Sequence, residues 1–125
     1  MRIEPEDLRK RTKRFALGVV KQCAEMPRTS TAQVLGKQLL RSGTSVGANY
    51  REAYRSRSDA EFLAKMGDCL KELEETSYWL ELLIESGLFP TENLVFLRDE
   101  SDQLTAIFVT IIKRKRANVL LHEKK

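Results

Sequence analysis

Apolar side chains recur at every third or fourth position along four stretches of this 125-residue sequence. That spacing is the period of a helix with one apolar face, and no stretch shows the period-two alternation of a β-strand. Short connections between the stretches favour antiparallel neighbours. The expected fold is therefore all-α: one domain folded as an antiparallel up-down-up-down four-helix bundle. The predicted helices span residues 5–26, 31–54, 59–86 and 92–116, with a basic tail over residues 117–125.

Residues that begin and end helices lie at the boundaries of these stretches. Ser30 is followed three positions later by Gln33, and Ser58 by Glu61. A hydroxyl residue three positions before Glu or Gln is the capping-box pattern of a helix start. Gly87 suits the left-handed position that commonly follows a helix. We therefore expect Ser30 and Ser58 to cap the second and third helices, and Gly87 to end the third.

The composition is that of a folded chain that needs no disulfide or metal to hold its core. Hydrophobic residues make up 42% of the sequence and charged residues 32%, which is typical of a globular protein. Cys23 and Cys69 lie far apart, each at an apolar helical position, so we interpret both as reduced core residues. No signal-peptide pattern is visible, and the longest apolar run, residues 106–112, is too short to span a bilayer. We expect a cytoplasmic protein without a membrane partner.

The stretch GTSVGAN, from Gly43 to Asn49, admits two interpretations. A phosphate-binding loop would need a lysine after its second glycine and a strand before it, and the sequence has neither. A helix explains more, because Gly43 and Gly47 are four residues apart and share one face. Their small size would let a neighbouring helix approach closely, which would offset the cost of about 1 kcal/mol for each mid-helix glycine. Whether that neighbour belongs to this chain or to another subunit stays open.

Ser45, Asn49 and Glu52 also share one face of the second predicted helix, next to apolar Val46 and Ala53. Polar groups close to a core need hydrogen-bond partners. One interpretation is a structural polar network that sets the register of the helix. The alternative is a functional polar site that contacts RNA or a protein partner.

Basic residues concentrate in segments that the predicted topology brings to one end of the bundle. Residues 1–14, 50–62 and 113–125 carry fifteen Lys or Arg and seven Asp or Glu, whereas the rest of the chain carries seven and eleven. The modest net charge of +4 therefore conceals a separation of charge. A clustered basic patch is typical of nucleic-acid binding, and the alternative is a solvated basic surface. The candidate nucleic-acid-binding residues are Arg9, Lys10, Arg11, Lys13, Arg14, Arg51, Arg55, Arg57, Lys113, Arg114, Lys115 and Arg116.

The sequence offers few residues for catalysis or metal binding. His122 is the only histidine, which argues against a histidine-based triad and against the Glu-x-x-His metal motif of helical bundles. We expect no catalytic residue, metal or cofactor, and hence a non-enzymatic protein. Tyr50 and Tyr54 lie within a basic segment, where they could stack on bases, although tyrosine at this spacing more often packs against a helix end.

The segment from Leu40 to Leu83 resembles bacterial four-helix-bundle proteins known as 23S rRNA intervening-sequence proteins. Their pattern is roughly L-R-x-x-x-S-[IV]-x-x-N-x-x-E, followed by S-x-x-x-F before a long third helix. The resemblance extends over most of the chain and is strongest over the second and third helices. The matching residues are Leu40, Arg41, Ser45, Val46, Asn49, Glu52, Ser58 and Phe62.

The resemblance implies a four-helix bundle that is a homo-oligomer, because members of the family resemble one another in forming ring-like homopentamers. Some of their reading frames lie in insertions within 23S rRNA genes. A similar bundle is the accessory protein of the reverse transcriptase in diversity-generating retroelements, where it binds nucleic acid. The implied partners are further copies of the chain, RNA or DNA, and a protein such as a reverse transcriptase, with no enzymatic activity. The competing hypothesis is an adaptor or assembly ring that binds another protein and no nucleic acid.

Overall fold

A computed structural model describes residues 5–123 of the chain, with side chains from residue 7 onward. This part of the chain is helical and contains no strand, and short loops join its helices. Each helix contacts the next one in sequence, and the last contacts the first. The all-α four-helix bundle expected from the sequence is confirmed. Its helices are α1 (Pro5–Ala24), α2 (Ser30–Tyr54), α3 (Asp59–Glu85) and α4 (Glu92–Glu123).

The core is built from the apolar face of each helix, as the three-to-four spacing requires. Val19, Leu39, Leu73 and Phe108 represent the four helices in it, and each has no exposed surface. Burial of such side chains stabilises the fold by about 1.5–3 kcal/mol each. The contact between α1 and α4 is much the least extensive of the four helix contacts. A groove therefore remains open along that side of the bundle.

The two glycines in the middle of α2 are buried against α1 of the same chain. A Cβ built on Gly43 would lie 2.9 Å from Cγ2 of Val19, and one built on Gly47 would lie 3.2 Å from Oγ1 of Thr12. These short distances show that α1 and α2 pack closely because both positions lack a side chain. The band of small residues is thus used inside the bundle, and it gives no support for contact with another subunit.

The cap of α2 differs from the prediction, whereas the boundaries of α3 agree with it. Thr29 has extended backbone angles, and its hydroxyl accepts a hydrogen bond from the Ala32 N–H at 3.2 Å. The prediction that Ser30 caps this helix was wrong, because Ser30 is already its first helical residue. Ser58 caps α3 by accepting from the Glu61 N–H at 3.0 Å. Gly87 follows α3 with a φ of 70°.

Two helix ends also differ from the predicted positions. α1 ends at Ala24 rather than at residue 26, since the proline at position 27 disfavours helical geometry in the residue before it. α4 continues to Glu123, so residues 117–123 are helical and do not form a tail. The segment contains no glycine or proline that would end a helix. Within the described residues, no helix combines the length and hydropathy needed to span a bilayer.

Candidate nucleic-acid interface

One end of the bundle brings together the start of α1, the end of α2, the start of α3 and the last third of α4. Leu8, Tyr50, Phe62 and Ile111, one from each helix, line the same small cavity there. The carboxylate of Asp59, the first residue of α3, lies 2.9 Å from Nζ of Lys115 on α4. The three segments in which basic residues concentrate therefore do meet at one end of the molecule.

Five basic side chains of α1 and α2 surround a shallow cavity of about 410 Å³ at this end, which we name the basic cavity. Among the residues whose side chains the structure describes, from residue 7 onward, no acidic one lines it. Arg9 and Lys13 are four residues apart on α1 and share one face of that helix. Arg51 lies in the last turn of α2, and Arg55 is the residue that caps the end of α2. An anion in the cavity would be approached by positive charge from two helices, which is an arrangement suited to phosphate. The lining residues are Arg9, Lys10, Lys13, Arg51 and Arg55.

The two tyrosines near the basic cavity have different surroundings. Tyr50 is only 3% exposed and is stacked on Phe108, with 5.6 Å between ring centroids. Burial raises the pKa of its hydroxyl to about 12, and its ring is not available for stacking on bases. Tyr54 is 40% exposed, and the Arg9 guanidinium lies 4.2 Å from its ring centroid. This cation–π contact holds Arg9 against α2 at the edge of the cavity.

Three of the twelve basic residues that were predicted to bind nucleic acid are directed away from the basic cavity. Arg11 donates from Nη2 and Nε to the Glu100 carboxylate of α4 at 2.6 and 3.0 Å, and these hydrogen bonds raise the pKa of the arginine. Arg14 lines the groove between α1 and α4. Lys115 is paired with Asp59. The sequence showed that all three are basic but not which neighbouring helix each one meets.

The remaining predicted residues lie on other parts of the surface. Arg57 lines a second cavity of about 730 Å³, which it shares with Arg51 and Arg55 and with two acidic residues, Glu52 and Glu61. Because both acidic and basic residues line this second cavity, it is a weaker phosphate site than the basic cavity. Residues 113, 114 and 116 are exposed. Lys113 and Arg116 are three residues apart and share one face of α4, whereas Arg114 is rotated from Lys113 by about 100° around the axis. None of the three lines the basic cavity.

The predicted polar network of Ser45, Asn49 and Glu52 is not formed. The Ser45 hydroxyl donates to the Arg41 carbonyl of its own helix at 2.6 Å. The Glu52 carboxylate is exposed and lies 3.0 Å from Nζ of Lys65 on α3. Within the described part of the chain, no hydrogen bond joins the three residues to one another. The prediction was wrong because Ser45 bonds within its own helix and Glu52 pairs with α3 instead of with the other two residues.

Two pairs of hydroxyl residues inside the bundle were not predicted from the sequence. Ser42 of α2 and Thr76 of α3 are fully buried and hydrogen bonded at 2.9 Å. Ser77 of α3 and Ser101 of α4 are hydrogen bonded at 2.7 Å. Their signal in the sequence is a small hydroxyl residue that occupies an otherwise apolar helical position. These pairs satisfy buried polar groups and hold the register between neighbouring helices.

The cysteines and acidic residues offer no further reactive site. Burial raises the pKa of the Cys69 thiol to about 12 and also raises that of Cys23, which disfavours the reactive thiolate form. Among the residues whose side chains are described, no three His, Cys, Asp or Glu are placed to hold a metal ion.

The fold and this surface define a class of protein: an antiparallel four-helix bundle with a basic cavity at one end. Residues 6–110 match the family described as 23S rRNA-intervening sequence protein, and the chain belongs to that family. The family expected from the sequence is thus confirmed. The chain is also similar in structure to a protein with unknown function from the S23 ribosomal protein family of Bacteroides thetaiotaomicron VPI-5482, whose crystal structure is known. The two chains are 35% identical, with a TM-score of 0.81 over 89% of this chain and 99% of that one. No curated protein matches the sequence.

Proposed function

We propose that this chain is a non-enzymatic, oligomeric bundle that binds the phosphates of structured RNA or of DNA in its basic cavity. The observation that carries the proposal is the set of five basic side chains that converge from two helices on one cavity. Phosphate contacts provide most of the sequence-independent affinity of proteins for nucleic acids. The family name, which refers to sequences inserted in 23S rRNA, supports RNA as the first substrate class to test.

The binding that we propose is directed at the backbone of the nucleic acid and not at its bases. Phosphate contacts set position and affinity, whereas sequence is read by contacts to base edges. Tyr54 is the exposed aromatic side chain beside the cavity, and Arg9 already lies over its ring. We therefore expect little discrimination between sequences of equal length and structure.

Oligomerisation would increase the affinity without any new type of contact. A homo-oligomer, with the homopentamer as the state implied by the family resemblance, would repeat the basic cavity once in each subunit. A nucleic acid that reaches several cavities would bind with a higher effective concentration at each one after the first contact. This multiplication is the physical reason for including assembly in the proposed function.

The test is a salt titration of binding to an RNA hairpin and to a DNA duplex of equal length, followed by fluorescence anisotropy. A variant with Lys10→Glu, Lys13→Glu, Arg51→Glu and Arg55→Glu reverses the charge of four exposed residues that line the cavity. This variant should bind neither nucleic acid. For the wild type, the log–log slope of affinity against salt should be about −0.7 to −0.9 for each phosphate neutralised.

The control is Arg28→Glu with Lys37→Glu, which reverses two exposed basic residues that do not line the cavity. The control should keep both the affinity and the salt slope of the wild type. If the cavity variant bound as well as the control, the basic cavity would not be the binding site. If the wild type failed to bind at low salt, the chain would be better described as a protein adaptor.

A further inference from the structure

Two surfaces of opposite charge lie on different sides of this bundle. One is the open groove between α1 and α4, and the other is the outer face of α3. α1 and α3 make no contact with each other in the described part of the chain, so they occupy diagonal corners of the bundle. Each surface is therefore free to meet a neighbour without obstructing the other.

The groove between α1 and α4 has an apolar floor and a basic edge. It has a volume of about 580 Å³, and Phe15, Phe96 and Leu97 provide apolar lining. The Phe96 side chain is 73% exposed, which is unusual for a phenylalanine on a helix that packs in a bundle. Arg14 and Lys21 of α1 line the edge of the groove. The groove thus offers apolar area together with two cations.

The acidic residues that line the groove offset its positive charge only in part. Glu100 lines the groove, but its carboxylate is hydrogen bonded to Arg11. Glu25 lies four residues after Lys21 and also lines the groove. Among the described residues that line the groove, Glu25 and Glu100 are the acidic ones. A partner that fits the groove would therefore carry acidic groups that flank an apolar side chain.

The outer face of α3 has that composition. Glu74, Tyr78 and Glu81 follow one another at spacings of four and three residues, so they share one face of the helix, and all three are exposed. Tyr78 is 54% exposed, and Leu82 beside it is 36% exposed. The face therefore presents an aromatic ring between two carboxylates.

The two surfaces also match in spacing. Arg14 and Lys21 are seven residues apart on α1, as are Glu74 and Glu81 on α3. Seven residues are about two helical turns, or roughly 10.5 Å along the axis. Tyr78 lies midway between the two glutamates, as Gly18 lies midway between the two basic residues. With α3 docked along the groove in either direction, each carboxylate lies beside a cation and the tyrosine lies over the apolar floor.

We infer that the outer face of α3 of one copy docks into the α1–α4 groove of a second copy. Glu74 and Glu81 pair with Arg14 and Lys21, and Tyr78 covers Phe96. Since the two surfaces differ, the contact is head-to-tail, and its repetition gives a closed ring or an open chain. The inference rests on the oligomeric part of the proposed function, for which it identifies the two interacting surfaces.

The experiment reverses the charges of each surface separately and then together, with mass measured by light scattering at micromolar concentration. Arg14→Glu with Lys21→Glu should reduce the mass of the wild-type assembly to the 14.4 kDa of one chain. Glu74→Lys with Glu81→Lys should have the same effect. The quadruple variant restores opposite charges across the contact and should assemble again. An equimolar mixture of the two double variants should also assemble, because each supplies the surface that the other needs.

The control variant, Lys37→Glu with Asp102→Lys, reverses one base and one acid that are exposed and outside both surfaces; it should keep the wild-type mass. Circular dichroism verifies that every variant is folded. Double variants that stay assembled, or a quadruple variant that stays monomeric, would overturn the proposed contact. A wild type of 14.4 kDa would overturn both this contact and the oligomeric part of the proposed function. Phosphate binding is tested separately, because the four reversed residues do not line the basic cavity.

Discussion

Gly43 in α2 and Gly67 in α3 are present for different physical reasons, and one pair of substitutions separates these reasons. A methyl group at Gly43 would lie 2.9 and 3.0 Å from the two γ-carbons of Val19, whereas a methyl group at Gly67 would meet nothing within 4 Å. Val19 is β-branched and fully buried, so it has little freedom to move away. The first glycine permits helix packing, and the second contributes only backbone freedom.

We predict that Gly43→Ala destabilises the protein by about 1–3 kcal/mol, because overpacking forces α1 and α2 apart. The matched control, Gly67→Ala, should stabilise it by about 0.5–1 kcal/mol, since alanine loses less backbone entropy on folding. Urea unfolding followed by circular dichroism measures both values. Equal effects of the two substitutions would show that the distance between α1 and α2 is not set at Gly43.

Hydroxyl residues stand next to one another at the start of α2, and the geometry assigns the cap to only one of them. Thr29 precedes the helix in an extended conformation and accepts from the Ala32 N–H. Ser30 and Thr31 follow within the first turn and are exposed. The cap satisfies one of the free N–H groups that every helix start presents.

We predict that Thr29→Ala lowers the free energy of unfolding by about 1 kcal/mol, the usual contribution of a hydroxyl cap. Ser30→Ala is the control and should change stability by much less, because alanine is well suited to the first turn of a helix. Thermal unfolding of the two variants under identical conditions provides the comparison. A larger loss for Ser30→Ala than for Thr29→Ala would reassign the cap to the serine.

Stability of the whole molecule should depend on pH in the alkaline range because two buried acids keep their protons in the folded state. Burial raises the pKa of Cys69 from 9.0 to about 12 and that of Tyr50 from 10.0 to about 12. Above pH 9 the unfolded chain loses the thiol proton while the folded chain keeps it. The unfolded state then binds fewer protons, so stability falls as the pH rises.

We predict that the free energy of unfolding decreases between about pH 9 and pH 12, by up to about 1.4 kcal/mol per pH unit for each group that has titrated in the unfolded chain. Cys69→Ala should lower stability at pH 7 through lost packing and should show a shallower decrease between pH 9 and pH 10. Urea unfolding at a series of pH values measures the slope. Parallel slopes for the wild type and the variant would contradict the assignment to Cys69.

The sequence by itself determined the helices, their order and their apolar faces, because these depend on local spacing. Periodicity, the Ser58 cap and Gly87 were sufficient to locate α3 nearly to the residue. Where the local signal was ambiguous, as between Thr29 and Ser30, the prediction failed by one position. Residues 117–123, the last seven of α4, were predicted as part of a basic tail, although nothing in that segment ends a helix.

Only the tertiary structure decided which neighbour each side chain meets, because that depends on helices distant in sequence. Twelve basic residues looked equivalent as a list, yet Arg11 is bound by a carboxylate 89 positions away and Lys115 by one at the start of α3. Five others converge on a cavity whose two walls come from different helices. Gly43 likewise could face any helix until the bundle placed Val19 against it. Local spacing specifies the faces of a helix, and only long-range packing specifies what lies opposite each face.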